Sequence, residues 1–153
     1  MSYKREKSLG ELNDRREPVR QFAALCHRQT TKGAEVLLIT TRETKRWLIP
    51  KGWPIAGLKP RKVAEREAWE EAGVIGRTGR KQFGTFFCDK VLANGDSVPS
   101  IVDVYLLKVR RQRKRFPEMN ERKTAWLKPV KAAKLVQEPE LQRLLLQLDE
   151  RAR

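Results

Sequence analysis

The order of apolar segments predicts an α/β or α+β protein built on a mixed sheet. Three observations carry that expectation. Strand-like runs stand before and after one charged helix, a glycine- and proline-rich loop leads into that helix, and a leucine stripe with helical spacing lies near the C-terminus. At 153 residues and 39% hydrophobic, the chain can form one domain with a sizeable core and is not disordered by composition.

The elements follow in order. The run "VRQFAALCHR", residues 19–28, reads as the opening strand. A turn over 30–34 joins it to "EVLLITT", residues 35–41, as a hairpin. "RWLIP", residues 46–50, is a short strand ended by proline, and "KGWPIAG" after it is a loop. Pro60 suits the first turn of a helix and Gly73 the position past its end, so a helix is expected over 60–72. Strands are then expected over 80–92, 100–109 and 123–127, with a turn at "ANGDS". Residues 129–136 look helical. Pro139 opens a last helix whose Leu141, Leu144, Leu145 and Leu148 share one face, as a packing stripe does.

Residues 1–17 are polar and charged and read as a flexible basic tail, with residues 18–153 as the single folded domain. No apolar run approaches the roughly 20 residues that span a bilayer, and the N-terminus has no apolar stretch of an export signal. Cys26 and Cys88 lie in apolar runs and read as buried free thiols. Together these features point to a cytoplasmic protein with no membrane partner. A single histidine, His27, excludes ordinary Cys/His zinc sites and leaves no serine triad; it reads as structural.

The net charge is +15, from 34 Lys and Arg against 19 Asp and Glu. Such a surface attracts polyanions: a polyphosphate metabolite, nucleic acid or an acidic membrane. The densest stretch, "KVRRQRKR" at residues 108–115, has three readings. It is a solvated loop, a lip that draws in anionic substrate, or an RNA contact. Composition does not choose among them.

Against that charge, four glutamates crowd into residues 65–71. At about 100° per residue, Glu67, Glu70 and Glu71 fall within an arc of about 100°, while Glu65 points to the opposite side. Three carboxylates on one patch repel one another by a few tenths of a kcal/mol per exposed pair. Arg66 can relieve part of this through Glu70, and a hard divalent cation would relieve more.

The spacing "GWPIAGLKPRKVAEREAWEEAGV" resembles the Nudix hydrolase signature. Gly52 takes its first glycine, and Arg66, Glu67, Ala68, Glu70, Glu71, Gly73 and Val74 take its later positions. Leu58 stands where the signature has its first glutamate. The resemblance implies an α/β/α sandwich with a mixed sheet and hydrolysis of a diphosphate linked to another group. It also implies Mg²⁺, or Mn²⁺, held by Glu67, Glu70, Glu71 and the Lys51 carbonyl. Glu67 is then the first candidate for the base, with Glu118 and Glu121 as late-loop alternatives, and Arg66 is part of the catalytic group.

Residues 19–136 look like the branch containing diphosphoinositol polyphosphate phosphohydrolases and diadenosine polyphosphate hydrolases. By that likeness Arg20, Arg42, Arg46, Lys51 and Arg122 are expected to hold substrate phosphates. The expected partner is a polyphosphorylated small molecule. Two other functions stand beside it: pyrophosphohydrolysis at RNA 5′ ends, and a non-catalytic module that binds a nucleotide or RNA, which Leu58 keeps open. Nucleic acid is the less favoured partner, since no RNA-binding module is visible.

Overall fold

The computed structural model describes residues 18–151. The expectation of a tail over residues 1–17 lies outside them. Strand β1 (Val19–Thr30) runs parallel to β7 (Ser97–Gln112), in register from Val19 opposite Ser100 to His27 opposite Lys108. Its other edge is shared. There β1 pairs antiparallel with β2 (Gly33–Thr40) near its end and with β4 (Lys51–Gly52) at Phe22 and Ala23. Strand β2 diverges from β1 beyond Val36 and carries β3 (Trp47–Leu48) and β8 (Thr124–Leu127). The long β7 also pairs with β6 (Gly84–Val91) along its first half and β5 (Val74–Thr78) along its second. One parallel and several antiparallel pairings make the expected mixed sheet.

Both faces are covered, so β1 is buried almost continuously from Gln21 to Cys26. Helix α1 (Pro60–Ala72) lays Val63, Ala64, Ala68 and Ala72 on Phe22, Ala24, Leu37 and Leu107. The opposite face packs Ala23, Leu25, Leu38, Phe86 and Val104 under α2 (Pro129–Leu135) and α3 (Pro139–Arg151). The four leucines of the α3 stripe are all buried there, each contributing about 1.5–3 kcal/mol. The architecture is an α/β/α sandwich, and α1 occupies the residues the sequence predicts, with Gly73 ending it at φ 71°.

Four expectations change, the first at Lys51 and Gly52, which are expected in a loop and instead pair with β1 as a short strand. The strand expected over 80–92 begins only at Gly84, because residues 79–83 form the connection from β5. Strand β5 itself was not foreseen. It is short and bulged between Ile75 and Gly76, where a Cβ on Gly76 would lie 2.2 Å from the Lys108 carbonyl oxygen. The basic run 108–115 is not wholly a loop. Its first half extends β7, with Arg111 opposite Ile75 and Lys108 opposite Arg77. Strand pairing overrides the low strand propensity of these exposed cations.

Candidate active site

Where β2 parts from β1, Lys51 and Gly52 pair with β1, and the C-terminal half of α1 faces them. A cleft of about 210 Å³ opens here. Glu67 and Glu71 form its acidic floor, and both are buried. The fit between loop and helix is close. A Cβ on residue 52 would come within 2.3 Å of the Glu67 carboxyl carbon, so only glycine leaves space for that carboxylate. The Pro50 carbonyl, accepting from the Ala24 N–H at 2.9 Å, and the strand pairing of Lys51 with Ala23 hold the loop in this position.

The cations come from four segments. Arg42 and Arg46 stand on the connection after β2, Lys51 on β4, Lys90 on β6, and Arg122 just before β8. Lys51 Nζ donates to Gln21 Oε1 at 2.9 Å, and Ser100 Oγ donates to the same oxygen at 2.8 Å. Burial lowers the Lys51 pKa below its ordinary value, and Lys90 and Arg46 act in the same direction. Arg46 pairs with the buried Glu138, and Arg42 with Glu121 at 2.8 Å.

Arg122 is the most enclosed of the arginines in the cleft. Its side chain is 10% exposed, and its Nη2 lies 2.9 Å from Glu118 Oε1 and 3.7 Å from Glu71 Oε2. The Glu118 N–H donates to the Glu70 carbonyl at 2.9 Å. The loop carrying Glu118 and Arg122 is thereby fastened to the glutamate helix. Buried charge of both signs in such proximity is costly unless paired, and Arg122 supplies that pairing.

The expected residues divide as follows. Glu67, Glu71, Lys51, Arg42, Arg46, Arg122 and Glu118 all line the cleft. Glu70 is half-buried and stands outside its lining, while its backbone anchors the Glu118 loop. Arg66 is half-buried on α1, also outside the lining. Arg20 does not reach the cleft. It pairs with Asp103 at 2.6 Å, and alternation along β1 puts Gln21 on the cleft side instead. None of residues 108–115 lines the cleft. Glu65 turns away from it, accepting from Thr78 Oγ1 at 2.7 Å and Thr78 N at 2.9 Å. Burial alone would raise its pKa, but the Thr78 and Lys62 hydrogen bonds hold it below the ordinary carboxylate value. Leu58 packs against the core under α1.

The oxygen donors suit a hard cation. Among the described residues, no group of three or more acidic, histidine or cysteine side chains is gathered closely enough to hold a metal. Glu67 and Glu71 reach the cleft, with Glu118 facing them, and Arg122 pairs with Glu71 and Glu118. Sequence reasoning missed Gln21, Asp89, Lys90 and Glu138. Only the alternation of β1 signalled Gln21. The others are brought in by the path of β6 and by the turn into α3.

A mixed sheet between helices, with a glycine loop pressed on a buried glutamate helix, defines the class. The NUDIX domain family model matches residues 18–148, and the chain belongs to the Nudix family. Diphosphoinositol polyphosphate phosphohydrolase 3-alpha of Homo sapiens is 36% identical over 61 residues, 40% of this chain and 37% of that protein. Diphosphoinositol polyphosphate phosphohydrolase 2 of Rattus norvegicus is 34% identical over 67 residues, 44% of this chain and 37% of that one. These matches span little more than a third of the relatives' length. In fold, the chain is similar to a C. elegans Ap4A hydrolase, with TM-score 0.70 at 22% identity over 86% of this chain and 96% of that one. The Nudix domain of Shewanella oneidensis NrtR, complexed with ADP ribose, gives TM-score 0.65 at 14% identity over 95% and 99%.

Proposed function

We propose that this chain is a metal-dependent phosphoanhydride hydrolase acting on a polyphosphorylated small molecule, a diphosphoinositol polyphosphate or a dinucleoside polyphosphate. The observation that carries the reading is the buried pair Glu67 and Glu71, facing a cleft ringed by Arg42, Arg46, Lys51, Lys90 and Arg122. Five cations there face five carboxylates, counting Glu43, Asp89 and Glu118. The cleft alone is therefore neutral, and a bound divalent cation gives it the positive charge that phosphates need. Glu67 and Glu71, with the Lys51 carbonyl, would hold Mg²⁺ or Mn²⁺, and Glu70 would join them only by turning in from outside the lining. The metal would supply charge neutralisation at phosphorus and a water of lowered pKa.

The chain's own groups do the rest. Arg42 and Lys51 orient the phosphate chain, and Arg46, held by its pair with Glu138, borders it. Glu67 takes the proton from the attacking water, with Glu118 as the alternative base. Arg122 holds Glu71 and Glu118 in place. The curated relatives are named for diphosphoinositol polyphosphates and one structural neighbour for Ap4A, which supports both substrate types. The reading places the enzyme in the cytoplasm, in keeping with its two free cysteines. Action on RNA ends has less support, because none of the basic run 108–115 lines the cleft.

The test is turnover with Mg²⁺ of a diadenosine polyphosphate, a diphosphoinositol phosphate and 5′-triphosphorylated RNA. Hydrolysis of one of the first two is expected, with Glu67→Gln and Glu71→Gln each lowering kcat by about a hundredfold or more. No phosphate release from any of the three, by a protein that still binds them, would overturn the enzyme reading.

A further inference from the structure

A second pocket of about 790 Å³ adjoins the cleft and shares Thr44, Arg46, Asp89 and Val91 with it. Its character differs. Phe87 stands 55% exposed on its wall, with Pro99 and Ile101 nearby on β7. Its charged groups are one cation, Arg46, and two carboxylates, Asp89 and Glu138. Arg46 is already committed to Glu138. Glu138 is 6% exposed, and its second oxygen, Oε1, has no hydrogen-bond partner among the described residues.

We propose that Glu138 sets substrate specificity by rejecting a phosphorylated group from this pocket and accepting an uncharged, hydroxyl-bearing aromatic one, a nucleoside. This deepens the phosphoanhydride reading and rests on it. The physical reasons are three. A phosphate entering beside Asp89 meets an uncompensated like charge, because the pocket's one cation, Arg46, is already paired with Glu138. A carboxylate oxygen without a donor, closed off from solvent here, is matched by a ribose hydroxyl once the Glu138 side chain turns it into the pocket. An exposed phenyl ring with proline and isoleucine around it offers a stacking face for a base. A diphosphoinositol polyphosphate carries phosphate around its whole ring, so no orientation presents an uncharged edge. The chain then parts company in substrate from the curated relatives it matches.

The test is equilibrium binding, by calorimetry at fixed ionic strength with Ca²⁺, of adenosine 5′-tetraphosphate and of inositol hexakisphosphate. The protein is expected to prefer the adenosine ligand by about tenfold or more. Glu138→Gln should move the two affinities in opposite directions, weaker for the nucleotide and tighter for the inositol ligand. Phe87→Ala, at an exposed position that the fold does not need, should weaken the nucleotide alone. Glu140→Gln removes the same charge two residues away, outside the pocket, and should leave the preference as it was. Three results would overturn the proposal: preference for the inositol ligand in the parent protein, a shift of both ligands in one direction in Glu138→Gln, or the same effect from Glu140→Gln. Since the readout is binding, a protein that turns over no phosphoanhydride but shows these preferences refutes the hydrolase reading alone.

Discussion

Residue 52 sets the tolerance of the site. With the Glu67 carboxyl carbon 2.3 Å from the position of a Cβ, Gly52→Ala must displace either the loop or the glutamate. It should cost about 1–3 kcal/mol in urea denaturation and remove most of the turnover. A variant with parental stability and rate would show that Glu67 has room to spare. Lys51 gives a prediction with a defined pH dependence. Its folded pKa lies below the 10.5 of the free side chain, mainly through burial. Between the two values the unfolded chain binds more protons, so the penalty for the buried charge is full below the folded value and fades as pH rises from it towards 10.5. Lys51→Met should therefore be more stable than the parent at pH 7, with the gain shrinking in alkali, while affinity for polyphosphate falls. Denaturant midpoints across that range decide it. At this scale spacing was legible for two of three carboxylates: Glu67 and Glu71 line the cleft, while Glu70, on the same arc of the helical wheel, stands outside it. The sequence was not legible where charge and likeness were the guides. Arg20 is expected at the site from its charge and from likeness to the inositol-pyrophosphate branch, yet strand alternation turns it to Asp103 and leaves neutral Gln21 at the cleft.

Among elements, α1 and α3 were readable almost to the residue, because proline and glycine mark the ends of α1 and leucines mark the inner face of α3. That inner face makes a direct prediction. Leu145 is wholly buried against the sheet, and Leu145→Ala should cost about 2–5 kcal/mol with substrate affinity retained in the folded fraction. Strand β5 was missed because five residues with a central glycine carry little periodicity. Its existence depends on β7, and its bulge depends on a glycine packed against the Lys108 carbonyl. Gly76→Val should therefore be much more damaging than its half-buried setting suggests, in thermal unfolding as well as in yield. The same dependence on a distant partner explains why Asp89 and Lys90 were not foreseen in the cleft: β6 is placed by its pairing with β7, and no local pattern states which side chains that pairing delivers.

Over the whole molecule, a charge of +15 acts on encounter more than on fold. The kcat/KM for a polyphosphate should fall steeply as salt rises from about 10 mM to 1 M, over which the screening length shrinks from about 30 to 3 Å, with kcat changing little. A flat profile would assign the charge to some other task. The parallel pairing of β1 with β7 has a further consequence, in time. Val19 meets Ser100 and His27 meets Lys108, so partners at the centre of the sheet lie some eighty residues apart along the chain. During synthesis the apolar β1 leaves the ribosome long before its partner strand exists, and the hairpin with β2 covers only its far end. Such non-local pairing folds slowly and leaves strand edges open meanwhile. Nascent chains halted before Ser97 should consequently be prone to aggregate or to recruit chaperones, and chains that extend through α3 should escape that fate.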